Sequence, residues 1–386
     1  MNYLAVVIAV IYSIGLLWLC WSYWQTVRLV QQQPSFDATR RPVSPLPRLD
    51  VVIPVKDEEQ HIAACVESVL EQDYPDLRVV VVNDRSADGT ASMLQAIQDR
   101  DPRVNRLDIA ELPAGLFGKP HAVHCAAAKL RGDVVVFLDS DFQLRPHCLS
   151  AIVGHLLDDR LDWLAVMGAP ELTQFWERLL VPLFGALAYA WYDPRSISDQ
   201  NSPDAIGSGF MCVRRSAYDA IGGHGAVVRA YDEDSALVRL AKQAGQRVAY
   251  VLTPDLFTLR FYGGLKKTIH GMTRTCIGGI KTLPRMFITL GALNFVSLLP
   301  IEILGGLAIA RSFGVRIPWA PLWVCMALAH LFIAGALCWL IYDRARTSRW
   351  LSLAHPLGAV MMIGVCLRAT RGLIRRGPIT WRGTTY

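Results

Sequence analysis

The segment "VVVFLDSD" carries four apolar residues, Val134 to Phe137, and then Leu138, into two carboxylates one residue apart, Asp139 and Asp141. Alternate residues of an extended segment face the same side, so the two acids point together and their repulsion calls for a cation. Mg2+ or Mn2+ takes a few carboxylates plus phosphate oxygens, which makes the pair a candidate metal site for a phosphorylated substrate. "LFGKPHAVHCAA" (Leu116 to Ala127) adds Gly118 and Lys119 at the start of a helical pattern, where backbone N–H groups and an ammonium hold an anion. "AYDEDSALVRLAKQAG" (Ala230 to Gly245) opens an amphipathic helix on Asp232, Glu233 and Asp234. Acids there suit the helix dipole; beside a metal-diphosphate site one of them can also take a proton from an attacking hydroxyl. In "AIGSGFMCVRR" (Ala205 to Arg215), Gly207, Ser208 and Gly209 leave room for a ligand to approach the backbone, and a β-bulge would use them equally well.

Short apolar runs must carry these residues. Strands are read at Val51 to Val55, Val79 to Val82, Val134 to Leu138, Leu164 to Met167 and Val248 to Leu252. Between the first two, Ile62, Val66 and Val69 recur at helical spacing. Strands apolar on both sides and separated by helices predict an α/β fold with a mostly parallel sheet covered on both faces. Ligands of such sheets sit at the carboxyl ends of strands. Asp57 and Glu58 follow the first strand, Asp84 the second, and Asp139 and Asp141 the third. For "NDRSADGT" (Asn83 to Thr90), turn formation explains the acids equally well.

Apolar residues make up 52% of the chain and mean hydropathy is +0.29, high for a soluble protein of this size. Tyr3 to Trp24 is uncharged and long enough to span a bilayer, with neither the basic start nor the cleavage site of a signal peptide. Met286 to Ala310 and Pro318 to Tyr342 are also long enough, although Glu302 lies in the first; Leu351 to Leu367 is marginal and contains His355 and Pro356. Arg28, Arg40 and Arg41 after the first span place the following domain in the cytoplasm, so the expectation is an integral protein of the inner or plasma membrane. Four full spans would put Arg368, Arg371, Arg375, Arg376 and Arg382 on the opposite side against the same rule, so the expected number of C-terminal spans is two to three.

The nine cysteines form no CxxC pair, which suits reduced thiols better than disulfides or zinc. The net charge of +6 crowds beside the apolar segments, so anionic lipid head groups are the expected partner rather than nucleic acid. Within Leu259 to Leu283, Leu265, Ile269, Met272 and Ile280 share one helical face and Lys267, His270, Arg274 and Lys281 another, the pattern of an interfacial helix. Leu179 to Tyr192 is apolar but too short to span, and reads as a second interfacial element or as core.

With these motifs in order, "VVIPVKDEE", "VVVVNDRSADGT", "GKPHAV", "FLDSD" and "YDEDSAL", the chain resembles the membrane-bound family 2 glycosyltransferases from about Asp50 to Gly245. Within that family it is most similar to the lipid-glycosylating branch of ceramide glucosyltransferases and hopanoid- and carotenoid-associated enzymes, through "FWERLLVPLF", "GSGFMCVRR" and "ITWRGTTY". The resemblance implies a GT-A (Rossmann-like) fold, a mixed, mostly parallel sheet flanked by helices, with one N-terminal and two to three C-terminal transmembrane helices. It implies an anchor over 1–27, a linker over 28–49 and a cytoplasmic catalytic domain over 50–258. An amphipathic segment over 259–285, a transmembrane region over 286–368 and a basic tail over 369–386 would follow.

By the same resemblance Pro54, Val55 and Glu59 would line the nucleotide pocket, Asp84 would read the base and Lys119 would face the phosphates. Asp139 and Asp141 would hold Mg2+ or Mn2+ on the donor diphosphate. Glu233 and Asp234 would be the catalytic pair, with Asp234 as base. One base implies direct displacement with inversion, the donor being a nucleotide sugar, expected to be a UDP-hexose, and the acceptor a membrane lipid. The Q/RxxRW motif of processive members is missing from Leu259 to Leu283, and the RxxRW at Arg346 to Trp350 lies beyond two expected spans, which favours transfer of one sugar. Alternatives are transfer to polyprenyl phosphate, where an anionic nucleophile needs no strong base, a processive synthase, and a non-catalytic scaffold that binds nucleotide sugar. The sequence leaves oligomeric state open.

Overall fold

The computed structural model describes residues 3–32, 36, 45–260, 264–280, 282–375, 380–381 and 384–385. Arg40, Arg41, Lys281, Arg376 and Arg382, which entered the expectations above, lie outside the described residues. The chain divides into two compact units, one drawn from 35–171, 192–260 and 378–386, the other from 1–34, 172–191 and 261–377.

Among the described residues the first unit has twelve strands: β1 (Leu49–Val55), β2 (Leu77–Asp84), β3 (Val104–Ile109), β4 (Val134–Leu138), β5 (Phe142–Leu144), β6 (Trp163–Met167), β7 (Ala169–Glu171), β8 (Phe210–Arg214), β9 (Val248–Leu252), β10 (Phe257–Arg260), β11 (Thr380–Trp381) and β12 (Thr384–Thr385). Among the described residues seven of these form a mixed sheet in the order β3-β2-β1-β4-β8-β6-β9. Only β8 runs against its neighbours, and the rest is parallel. Strands β1 and β4 are buried almost throughout, because helices cover both faces, and this is why they read as unbroken apolar runs. A second small sheet pairs β5 antiparallel and β7 parallel to β10.

Two strands of the seven-stranded sheet escaped the sequence reading, as did the short β5, β7 and β10. Strand β3 lies at the sheet edge and carries Asn105, Arg106 and Asp108, so its apolar signal is broken. Strand β8 is apolar but enters antiparallel, which alternation of strand and helix does not announce. The switch point lies between β1, which pairs with β2 on one side, and β4 on the other; the candidate acids follow the carboxyl ends of both.

Near the amino end of β1 the carboxylate of Asp50, 1% exposed, accepts the backbone N–H groups of Arg131 and Gly132, the latter at 2.7 Å. Asp50→Ala strands both donors and is expected to cost about 1–3 kcal/mol of stability. A lowered thermal midpoint of the purified protein in detergent checks this.

The second unit is helical. Among the described residues four stretches are long and apolar enough to cross a membrane: Val6–Gln25, Leu283–Ser312, Ala320–Arg344 and Arg349–Ile374. The last is longer than the marginal run read from sequence. His355 and Pro356 sit near its start, where a missing N–H costs little, and helix continues through Arg368 and Arg371 at its far end. The C-terminal candidates therefore number three. The second stretch widens to a π-turn over Asn294–Leu298, just ahead of Pro300, and Asn294 Nδ2 donates to Glu302 Oε1 at 2.9 Å, giving the charge inside that stretch a partner.

Helix Leu265–Ile280 is amphipathic as read, but Leu265, Ile269, Met272, Cys276 and Ile280 pack into a core with Ala359, Met362, Val365 and Ala369 of the last helix. Lys266, Lys267 and His270 remain exposed. The apolar run after Leu179 forms helix Phe175–Trp191, whose Leu180 and Val181 join the same core. Its buried Glu177 accepts the N–H groups of Thr173, Gln174 and Gly264. In the RxxRW string, Arg349 pairs with Asp343 at 2.8 Å and Trp350 stands edge-on to Trp339.

Candidate active site

Four segments converge at the carboxyl end of β4. Lys119 opens helix Gly118–Ala127, Asp139 follows β4, and Glu233 and Asp234 form the first turn of helix Glu233–Gln243. The Lys119 ammonium lies 2.9 Å from Asp139 Oδ1, 2.9 Å from Glu233 Oε1 and 3.1 Å from Asp234 Oδ2. The fourth segment is Gly207 to Gly209: the Asp139 N–H donates to Gly209 O at 2.8 Å, continuing the β4–β8 register past Leu138 and Phe210.

Burial disfavours the Lys119 charge, but Asp139, Asp234 and Glu233 outweigh it and hold the ammonium well above the usual lysine range. Burial and the Glu233 charge push the Asp234 carboxyl well above the usual carboxylate range, with Lys119 pulling against them and Asp139 adding to the rise. One ammonium among three carboxylates leaves negative charge uncompensated, so one of the acids gains affinity for a proton. A carboxyl displaced toward neutrality in this way is suited to act as a general base.

Asp141 is half-buried beside the cluster, its carbonyl accepting the Arg260 N–H at 3.1 Å. The buried Cys65 thiol is pushed up by burial and by the charges of Asp141, Asp139 and Glu58. Among the described residues no group of three or more His, Cys, Asp or Glu is arranged to hold a metal ion. Asp139 and Asp141 would supply two hard oxygen ligands, a set that suits a cation taking its remaining ligands from phosphate and water. The ammonium seated among Asp139, Glu233 and Asp234 shows that this cluster accommodates positive charge.

The expected nucleotide-pocket residues are positioned differently. Asp84, 4% exposed, forms a two-point pair with Arg85 at 2.8 and 3.1 Å, and Arg85 adopts a left-handed backbone at φ 57°. Glu59 accepts the Gly89 N–H at 2.7 Å and Asp57 the Ala87 N–H at 2.7 Å. In return Ser86 Oγ accepts the Asp57 N–H, and Thr90 Oγ1 the Glu58 N–H. These reciprocal bonds lock the loops after β1 and β2 together. Val55 is buried in the core, so it can offer a ligand only its backbone, while Pro54 is half-exposed.

Ser208 also faces inward: its hydroxyl accepts the Val166 N–H at 3.1 Å and donates to Phe210 O at 2.6 Å. Gly207 and Gly209 face the other way, toward the acids. Sequence reasoning passed over Arg85, although it adjoins Asp84 in "NDRS", and over His224. That buried imidazole pairs with the Tyr218 hydroxyl at 2.9 Å against Phe137, and burial, with the Lys119 and His124 charges, pushes it down to about 3, so it stays neutral beside the cluster. Nothing in local spacing marks His224; its role comes from packing.

Residues 50–222 match the family model "Glycosyl transferase family 2". An N-acetylglucosaminyltransferase of Rhizobium meliloti is 34% identical over 35% of this chain and 31% of its own length. A beta-monoglucosyldiacylglycerol synthase of Synechocystis is 28% identical over 56% of this chain and 47% of its own. The chain thus spans less than half the length of these two relatives. A 4,4'-diaponeurosporenoate glycosyltransferase of Staphylococcus aureus is 23% identical over 88% of both chains. Among solved structures, the mannosyltransferase PcManGT of Pyrobaculum calidifontis, in complex with GDP-Man and Mn2+, is similar over 96% of this chain and 97% of its own, with 18% identity and a TM-score of 0.49. Over residues 50–222, therefore, this chain is similar to glycosyl transferase family 2.

Proposed function

We propose that this chain moves a single sugar from a nucleotide-sugar donor, a UDP-hexose, to a hydroxyl of a membrane lipid, with inversion at the anomeric carbon. The observation that carries the reading is the convergence of Asp139, Glu233 and Asp234 on Lys119 at the carboxyl end of β4. Four stretches able to cross a membrane support a lipid acceptor. So do the names of two relatives, which specify a glucosyldiacylglycerol product and a diaponeurosporenoate acceptor.

Asp234 would accept the proton of the lipid hydroxyl as its oxygen bonds to the anomeric carbon and the bond from that carbon to the diphosphate breaks, the electron pair leaving with the nucleoside diphosphate. Glu233, beside it, keeps the Asp234 carboxyl basic. Asp139 and Asp141 would hold Mg2+ or Mn2+, whose chemistry when bound is to neutralise charge on the departing diphosphate. Lys119 would meet the same phosphates. Asp84 and Arg85 would border the base, and the backbone of Pro54 and Val55 the nucleoside. The reading includes a cytoplasmic catalytic domain over 50–258 held at the inner or plasma membrane.

The test is nucleotide release by purified protein from a panel of nucleotide sugars in membrane lipid extract, with Mg2+ or Mn2+ and with chelator. Release that needs lipid and stops in chelator is expected. Activity only with added polyprenyl phosphate would replace the acceptor, and nucleotide binding without sugar transfer to any lipid would contradict the reading.

A further inference from the structure

We infer that Gly207 and Gly209 are positioning residues that set the Asp139 and Asp234 carboxylates against each other, so that the space their missing side chains leave is filled by the acids and not by a ligand. The inference rests on the roles proposed for those two acids. A Cβ built on Gly207 would overlap the backbone carbon, carbonyl oxygen and Cβ of Asp234. One built on Gly209 would overlap Asp139 Oδ2, lie 2.8 Å from Asp139 Cγ and 3.1 Å from Phe142 Cε2. Real Cβ atoms do not approach other atoms this closely, so a methyl at either position moves an acid or its backbone.

The Cβ directions of Gly207 and Gly209 meet the acids, whereas the Ser208 hydroxyl between them is bonded into the sheet. Ser208 is the anchor: its hydroxyl is bonded to Val166 N–H and Phe210 O inside the sheet, so the segment cannot recede to relieve an overlap on the opposite side. Gly209 is also bonded through its carbonyl to the Asp139 N–H at 2.8 Å, and Gly207 through its N–H to Ser235 Oγ at 3.3 Å, next to Asp234. The stretch is thereby fastened to β4 at one end and to the first turn of helix Glu233–Gln243 at the other. Phe142 behind Gly209 packs on Phe210 and Phe257, which closes the remaining direction of escape.

The two glycines act on different acids, so their variants separate. Gly209→Ala displaces the Asp139 carboxylate and is expected to weaken Mn2+ binding at least about fivefold, read by electron paramagnetic resonance of the purified protein with UDP, with transfer recovering as Mn2+ is raised. Gly207→Ala displaces Asp234 and is expected to lower kcat at least about tenfold, with Mn2+ binding and donor KM within about twofold and no recovery at high Mn2+. Thermal midpoints are recorded for both.

Wild-type behaviour of either variant would overturn the inference. So would raised donor or lipid KM with Mn2+ binding and kcat unchanged, the signature of glycines that touch a ligand. Parallel losses in both that follow the drop in thermal midpoint would reduce the glycines to general packing and overturn it as well. Asp139→Asn and Asp234→Asn run alongside: if these keep activity and Mn2+ binding, the proposed function falls; if they lose them while the glycine variants do not, only the positioning inference falls.

Discussion

Asp234→Asn is expected to lower kcat for transfer to lipid by about a hundred- to ten-thousandfold, with donor affinity held within about twofold. Asparagine preserves the shape of the side chain and can still face the Lys119 ammonium, but it takes no proton. Burial and the Glu233 charge, which push the Asp234 carboxyl up, are the features that make this acid a better base than an ordinary surface aspartate. Steady-state rates with saturating lipid, together with calorimetric donor binding, check the expectation. Full activity in the variant would mean that the nucleophile arrives already ionised, as a polyprenyl phosphate does, and the acceptor assignment would change with it.

The second large effect is expected from Asp139→Ala. This carboxylate is the point where three roles meet: it stands next to Asp141 in the candidate metal pair, it binds the Lys119 ammonium at 2.9 Å, and its N–H is fixed by Gly209 O. Its removal is expected to reduce transfer at least about a hundredfold and to abolish the difference between nucleotide affinities measured with Mn2+ and with chelator. Lys119 keeps Glu233 and Asp234, so the cluster stays assembled and the loss is one of donor binding rather than of folding. An unchanged thermal midpoint in detergent, alongside the lost Mn2+ response, separates the two.

Much of the site was legible because its chemistry sits at strand ends. The apolar run of β4 declares a buried strand, and two acids directly after it stand out against that background; the same holds for Asp84 at the end of β2. The parallel sheet was legible for the same reason, since strands covered on both faces carry no alternation. What the sequence could not express is convergence. Lys119 and Asp234 are 115 positions apart, and no local pattern says that the ammonium expected to face phosphates pairs with Asp139, Glu233 and Asp234.

Gly207 and Gly209 were recognisable as places of close approach, but what approaches them depends on the β4–β8 register. The acid-rich loop after β2 held two readings; in the structure its Ser86, Ala87, Gly89 and Thr90 are bonded to Asp57, Glu58 and Glu59 of the loop after β1, a pairing between loops that local spacing does not express. In the helical unit, hydropathy found the stretches able to span, whereas the true length of the last one depended on helix continuing past its apolar stretch through Arg368 and Arg371. The amphipathic helix was found by its period, but not the partner for its apolar face, which is the last helix of this same chain.

One-step transfer of one sugar to a lipid by a single base fixes both the size and the stereochemistry of the product. The organic-soluble product formed from an isotopically labelled nucleotide sugar is recovered, and its sugar count and anomeric configuration are determined by NMR. One sugar per lipid, with the configuration inverted relative to the donor, is expected. Retained configuration, or a polymer in place of a monoglycosylated lipid, would overturn the proposed function.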